Sequence, residues 1–407
     1  MSPAARTPDP PIVTRAFLGL TAAHFLQALG YASMLLLPVH LEHLGASRTE
    51  IGAIMAVSAV GGLLFRPLVG WALDAVGRKP TLLAGTLLAT VGLGMVGLVT
   101  RISPLVYVAR LVFGVGVGAM FTGYFTFAAD LVPPTRRTEG LALFGISGLV
   151  PVLVNPAAER LGLAAGALRA FFPAMGLVVL ASLLFLRAVP ELPRTRSTAA
   201  IRPLAALLEL GRPRLWPVWL ATVVFSGFVA LFFAFATVAA ADHGMAHPAD
   251  IWLTYALGAA VVRLGGGRIL DRIGPRNLVA PALASYAFAA MALGGAQTGG
   301  ALLLAGLLGG VGHGFCFPVL ASQVVSRVPE PRRGAGLATY TGLWDLSALT
   351  LPPLLGMVAD ARGDRAMFDL AALGAGLLLA LWALLEHAFG GERARPANGE
   401  PAAGGPA

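Results

Sequence analysis

A handful of polar and ionisable side chains stand inside long apolar stretches of this 407-residue chain: His24, Gln27, Arg110, Asn155, His313 and Asp345. An ionised group in the middle of a bilayer-spanning helix costs about 2.5–3.5 kcal/mol on insertion scales, so it lines a watery cavity or finds a partner. Arg110 is the sharpest case, because a guanidinium does not shed its proton and needs a carboxylate or an anionic ligand. Asp345 is the carboxylate available, either as that partner or as a proton carrier. His24 and His313 divide evenly between cavity lining and rings packed with their hydrogen bonds satisfied. Arg66 and Arg263 stand nearer the ends of their stretches and are expected to snorkel to the interface. Phe232, Phe233, Phe235, Trp252, Tyr255 and Trp344 can shape an apolar pocket, although aromatics are as common at lipid-facing positions.

Those residues need elements to hold them, and the composition says which. The chain is 57% hydrophobic and 12% charged, about half the charge of a soluble domain. A bilayer-spanning helix needs about 20 mostly apolar residues. Twelve such stretches fall near 14–41, 50–72, 80–100, 103–131, 138–158, 168–188, 215–241, 250–270, 277–296, 300–326, 334–358 and 366–389. The 51 glycines suit close approach of helices in lipid, where no hydrophobic drive holds helices together. The expectation is an all-α membrane protein with twelve transmembrane helices in two six-helix bundles.

Lys and Arg decide the orientation. About twenty of the 29 lie in the terminal segments or the loops after even-numbered spans. Six lie in the loops of the other side, and three are inside spans. The richer side is expected to be cytoplasmic, with both termini there and no cleaved signal peptide. The chain then divides into a cytoplasmic segment 1–13, a half at 14–188, an Arg/Pro-rich linker at 189–214, a half at 215–389 and a disordered tail at 390–407. The net charge of +9 reports this topology and forms no nucleic-acid patch. The single Cys316 excludes a disulfide framework and a Cys-based metal site, and no His/Asp/Glu cluster in a span suggests another metal or a cofactor.

The two halves repeat one another. Arg66-Pro-Leu-Val-Gly70-Trp-Ala-Leu-Asp74-Ala-Val-Gly77-Arg78-Lys79 overlies Arg263-Leu-Gly-Gly-Gly267-Arg-Ile-Leu-Asp271-Arg-Ile-Gly274-Pro-Arg276 at an offset of 197. Gly114, Gly116 and Gly118 meet Gly310, Gly312 and Gly314 at 196. Two elements in the same order at nearly one offset mark an internal duplication.

The segment Gly70 to Leu82 resembles the signature loop between spans two and three of the major facilitator superfamily, with Asp four residues after the first Gly, Gly three further on, then two basic residues. Arg110-Leu-Val-Phe-Gly114-Val-Gly116 resembles that superfamily's fourth-span motif. The resemblance covers essentially the whole chain. Its Arg-Pro-Leu-Val-Gly lead-in and the Asp345 segment are similar to the drug and sugar efflux branch. Gly148-Leu-Val-Pro151-Val-Leu-Val-Asn155-Pro156 does not match the antiporter motif of span five, and Pro190-Glu-Leu-Pro-Arg194 is read as a chance linker sequence.

The resemblance implies a latch. Asp74 faces the N-terminus of span eleven, where a helix dipole and free N–H groups favour a carboxylate. Gly70 permits the close approach, Gly77 and Lys79 complete the loop, and Arg78 reaches Asp130. Gly267, Asp271 and Gly274 form the second copy, with Ser326 near the Asp130 equivalent. It also implies that spans one, four, seven and ten line a central cavity. The expected activity is secondary transport by alternating access, most simply proton-coupled export of a small amphipathic molecule by a monomer. The alternative is import of a small organic anion or sugar. No nucleotide-binding loop or catalytic set supports a pump or an enzyme.

The orientation is open to direct test. In a Cys316→Ser background, Ser197→Cys is expected to resist an impermeant maleimide added outside intact cells and to react once the cells are opened. Labelling from outside would invert the topology.

Overall fold

In the computed structural model the described residues are 11–133, 136–163, 165–191, 208–329 and 332–390. Most of the expected linker and the whole tail beyond Gly390 lie outside them. Twelve helical rods follow one another, with no strand among the described residues. They are α1 (Arg15–His43), α2 (Arg48–Ala75), α3 (Arg78–Val96), α4 (Pro104–Leu131), α5 (Glu139–Arg160), α6 (Leu168–Ala188), α7 (Pro213–Asp242), α8 (Asp250–Ile273), α9 (Pro275–Gly294), α10 (Gly299–Arg327), α11 (Arg333–Arg362) and α12 (Asp364–Phe389). Among the described residues, eleven are long and apolar enough to cross a membrane. The exception is α8, whose second half carries Arg263, Arg268, Asp271 and Arg272 among three consecutive glycines. It still runs as one helix of 24 residues.

Several rod ends are set by recognisable residues. Ser47 accepts from Glu50 N–H while Glu50 reaches back to the Ser47 N–H, a reciprocal cap that starts α2. Prolines open α4, α9 and α7's first turn, where a missing N–H costs nothing. Pro151 tightens α5 into a 3-10 turn over Val150–Leu153, since a proline inside a helix removes a hydrogen bond. Gly77 and Gly274 hold φ of 125° and 82° just ahead of α3 and α9. Only glycine adopts that backbone without strain, so these two motif positions are fixed by the turn.

The twelve rods form two six-helix bundles related by pseudo-symmetry. In the first, α2 and α3 pack on α4, α1 on α5 and α6, and α3 on α6. In the second, α8 and α9 pack on α10, α7 on α11 and α12, and α9 on α12. The equivalence extends to single glycines. A Cβ on Gly61 would lie 2.7 Å from Leu111 O, and one on Gly258 would lie 2.5 Å from Leu307 O. Gly114 sits directly on the Ser58 backbone, and Gly310 on that of Tyr255. The duplicated glycines are therefore the places where α2 meets α4 and α8 meets α10 backbone to backbone. Between the bundles, α2 packs on α11, and its pseudo-symmetric counterpart α8 on α5, with α1 against α7. The α2–α11 seam is the more extensive.

Gly61→Leu is expected to lower the thermal midpoint and the folded yield, since forcing methylenes into a filled contact costs about 1–3 kcal/mol or more. Gly94→Leu, with nothing within 4 Å of its Cβ position, should unfold like the parent. Equal stability of the two variants in fluorescence-detected size exclusion would remove this packing account.

Candidate transport site and its gates

The two ends of the bundle differ in what they carry. The linker face holds the ends of α6 and α12 and the starts of α1 and α7. The opposite face holds the α1–α2, α7–α8 and α11–α12 connections. At the opposite face the halves are tied by charge. Asp360, near the end of α11, accepts from the N–H groups of Arg48 (2.7 Å) and Thr49 (2.9 Å) and from the Thr49 hydroxyl (2.6 Å). A carboxylate from one half thus caps a helix of the other, where the dipole favours it. The Arg48 guanidinium bonds Glu42 at 2.7 Å, Asp364 at 3.0 Å, and Asp242. Arg48 itself is only 8% exposed. Gly52 and Gly356 let the backbones of α2 and α11 touch beside it. A second tie joins Arg160 of α5 to Asp250 of α8 at 2.7 Å, and Glu159 accepts from the Ala249 N–H at 3.2 Å.

Deeper in, the seam continues to one more ion pair. Arg66 of α2 donates to Asp345 of α11, both half-buried. Gly62 faces Asp345 across the gap, its would-be Cβ 3.9 Å from the carboxylate. Arg66 had been expected to snorkel. It does not, because the carboxylate of the other half lies within reach. The expected Arg110–Asp345 partnership is likewise not the one formed. Arg110 stands six residues into α4, roughly 9 Å from the opposite face, while Asp345 lies about 25 Å from it, at 1.5 Å per residue. Arg110 is 4% exposed. It donates to the carbonyls of Ile54 (3.3 Å) and Met55 (3.0 Å) on α2 and lies over the Phe113 ring at 5.5 Å. Its Nη1 has no hydrogen-bond partner among the described residues.

The other expected site residues separate into two groups. His24 bonds Ser147 Oγ at 2.7 Å and is enclosed by Tyr124, Phe125 and Phe144. It is a satisfied ring joining α1, α4 and α5 within one half. Asn155 donates to Val152 O at 2.8 Å beside the break in α5, and Gln27 is buried in α1. His313 belongs to a polar chain in the second half. Its Nδ1 lies 2.8 Å from Tyr255 Oη and 3.4 Å from Tyr286 Oη, and the two phenols bond each other. Phe225 and Trp344 flank the ring at 5.5 and 6.4 Å. Of the aromatics expected to shape a pocket, Phe232, Phe235, Trp252 and Tyr255 are buried inside the second half. Phe233 and Trp344 are half-buried, and Phe233 meets Tyr31 of the first half at 6.2 Å. Arg263 also had been expected to snorkel. Instead it crosses to the first half and donates to Gly145 O at 3.2 Å.

At the linker face the contacts stay within each half. Arg78 bonds Asp130 at 3.0 Å and Asp74 at 3.3 Å. Asp74 has no hydrogen bond to α11 among the described residues. Glu191, read in the sequence as chance linker, accepts from the N–H groups of Arg78 (2.8 Å) and Lys79 (3.0 Å) and caps α3. Lys79 donates to Val189 O at 2.8 Å. In the second half Glu386 holds the pseudo-equivalent place, bonding Arg276 at 2.8 Å and Arg327 at 2.7 Å. Gly267 and Asp271 lie on α8, and their side chains are outside the described residues. The halves therefore meet at the opposite face and at mid-depth, and the contacts described at the linker face run inside each half.

The profile of the Major Facilitator Superfamily matches residues 20–297 and 250–406. The chain belongs to this superfamily. Among its relatives is an uncharacterized MFS-type transporter of Salmonella typhimurium, STM4428, 26% identical over 87% of this chain and 92% of that protein. Another is the uncharacterized MFS-type transporter YhhS of Escherichia coli, 26% identical over 84% of this chain and 85% of that one. The fold is also that of the nucleoside transporter NupG, with TM-score 0.77, 13% identity, and 91% and 99% of the two chains covered. The human organic anion transporter MFSD10 superposes with TM-score 0.67 at 20% identity, covering 93% and 100%. This MFS protein is a multi-pass membrane transporter of small molecules, not an enzyme.

Sequence reasoning missed Arg48, counting it only as a loop charge. The signal was present: Glu42, Asp242, Asp360 and Asp364 all stand at span ends on that same face. In a Cys316→Ser background carrying Tyr31→Cys, Arg48→Ala is expected to raise maleimide labelling from the opposite face several-fold. Unchanged labelling would show that this cluster is not what holds that face shut.

Proposed function

We propose that this MFS protein is a proton-coupled exporter of small amphipathic molecules, working by alternating access of the halves 14–188 and 215–389. In this reading the linker face and both termini are cytoplasmic, at the bacterial inner membrane, and the protein acts as a monomer without a cofactor. The Lys/Arg bias supports that orientation.

The observation that carries the reading is the Arg66–Asp345 pair across the α2–α11 seam. Arg66 keeps its charge throughout, so only Asp345 can change the pair. Ionised, Asp345 holds α2 against α11 at mid-depth. A buried pair that loses one charge leaves the other uncompensated, which is strongly unfavourable unless water or a ligand replaces it. Protonation of Asp345 thus favours separation of the seam and closure at the linker face. Binding and release of a proton at Asp345 then couple the gradient to this change of state. On closure, Asp74 meets the start of α11, with Gly70 allowing the approach. Gly77, Arg78, Lys79 and Asp130 stiffen that corner. Asp271, Gly267 and Gly274 repeat it between α8 and α5. Arg110 braces α4 against α2 at the opposite end, and His24, Gln27 and Asn155 hold the first half as one body.

The Phe233 and Tyr31 rings, which meet across the halves at 6.2 Å, and the half-buried Trp344 suit an amphipathic cargo. An importer on the same fold would share the Arg66–Asp345 switch, and direction separates the two.

The test is transport in proteoliposomes holding the full-length protein, with a panel of amphipathic fluorescent compounds. Asp345→Asn is expected to lose accumulation driven by a proton gradient, by about tenfold or more, while still exchanging cargo down its own gradient. Gradient-driven transport at the parental rate in this variant would overturn proton coupling through the pair.

A further inference from the structure

The duplication sets up a comparison that isolates one charge. An offset of 197 carries Arg66 onto Arg263. The two residues occupy equivalent depths, nine and ten residues from the linker-face ends of α2 and α8. Both cross to the other half at the two pseudo-symmetric seams, α2–α11 and α8–α5. Arg66 finds the carboxylate of Asp345 there. The same offset carries Asp345 onto Gly148, and the residue Arg263 does touch is another glycine, Gly145, through its backbone carbonyl. A Cβ on Gly145 would stand 3.3 Å from Arg263 Nη1, so α5 is cleared of side chains at the point where α11 presents an acid. Among the described residues Arg263 has no carboxylate partner, and one carbonyl uses one of five guanidinium N–H donors.

A snorkelling role does not fit this geometry. Ten residues of helix put Arg263 about 15 Å from the end of α8 at 1.5 Å per residue, farther than its side chain extends. Its surroundings are not lipid-like either. Arg263 is close enough to act electrostatically on Tyr255 and His313, the polar chain of the second half. The half-buried rings of His313, Phe317 and Trp344 lie together, with centroids 6.0 Å apart for Phe317 and Trp344 and 6.4 Å for His313 and Trp344. One fixed positive charge, with this polar chain and these flat rings in the same half, points to a ligand chemistry. A guanidinium suits a carboxylate because two parallel N–H groups match two oxygens.

We propose that Arg263 is the anion-binding residue of the translocation site, and that the molecule carried is a small organic anion with a planar apolar body. The proposal rests on the transport reading above and names its substrate class. The anion takes at α8–α5 the place that Asp345 takes at α2–α11. Loading it supplies the missing acceptor of the second seam, so cargo and proton act on equivalent positions of the two seams. Arg66 is not the anion site, because its carboxylate is built in.

Binding to the purified full-length protein tests this without any proton gradient. The probes are 1-naphthoate, the uncharged 1-naphthamide and cationic 1-naphthylmethylamine, read by tryptophan quenching and by calorimetry. The parent is expected to bind the naphthoate about tenfold or more tightly than the amide, the range of one charge-assisted pair, and the amine most weakly. Arg263→Gln should erase the preference for the anion over the amide, with an unchanged thermal midpoint and size-exclusion profile reporting that the variant is folded. Arg263→Lys should keep a reduced preference, since the charge remains and the fork is lost. Absence of an anion preference in the parent, or its survival in Arg263→Gln, would overturn the proposal. Neither result touches proton coupling, and a protein that selects anions yet moves no protons would sink the coupling reading alone.

Discussion

A guanidinium inside a bilayer must find an acceptor, and the positions of the acceptors decide which surfaces of this protein meet. Arg48 finds four acidic neighbours at the opposite face, counting Asp360 on its own N–H. Arg66 finds Asp345 at mid-depth. Arg78, at the linker face, finds Asp74 and Asp130 in its own half. Lipid offers helices no hydrophobic reason to associate, so these charges and the glycine contacts carry the interface between the halves. The conformation seen, joined at one face and with its ionic contacts internal at the other, follows from that distribution.

Duplication gave both halves the same packing code, and the charges then diverged. Gly61 and Gly258, and Gly114 and Gly310, sit on backbone carbonyls or amides of the neighbouring helix in the same way. Changing any of them requires two helices to move apart, so each half keeps them for its own integrity. Charges at the seams face no such constraint. Asp345 has no acidic counterpart on α5, and the α2–α11 seam is the more extensive one. The asymmetry between the seams therefore lies in function-bearing side chains while the backbone scaffold stays symmetric.

The fold was legible because it is written in repetition. Hydropathy marks twelve spans, and the offset of 197 marks the two halves. The Gly77 and Gly274 positions, both with positive φ, were legible as motif members, although only the backbone explains why they must be glycine. Pairing was much less legible. Sequence offers one mid-span Arg and one mid-span Asp as natural partners, yet helix depth separates Arg110 from Asp345. Arg66 reads as a snorkelling residue because position along one helix says nothing about what the facing helix presents. Glu191 shows the same limit. As sequence it is one acid among linker prolines, and only the return of α6 beside the start of α3 makes it a cap.

The α2–α11 pair joins these observations into one lever. Along α2, Arg48 and Arg66 are 18 residues apart, roughly 27 Å, and Asp74 lies about 12 Å further on. Its first two stations are engaged with the other half and its third is not. Two nearly rigid rods touching at one end and the middle can only gain contact at the far end by losing it at the near end. The middle station is then a pivot, and its strength sets how easily the lever tips. Asp345 is the one member of that pivot able to change charge, so on the proposed reading a single protonation at mid-depth is felt at both faces. No chain of intermediate side-chain rearrangements is needed, because the helices themselves transmit the change. The second seam has the same lever in α8 and α5, with a pivot made of Arg263 and a bare carbonyl. On the proposed reading, a lever whose pivot lacks its acid responds to an anion arriving there, so one duplicated architecture answers to two different ligands.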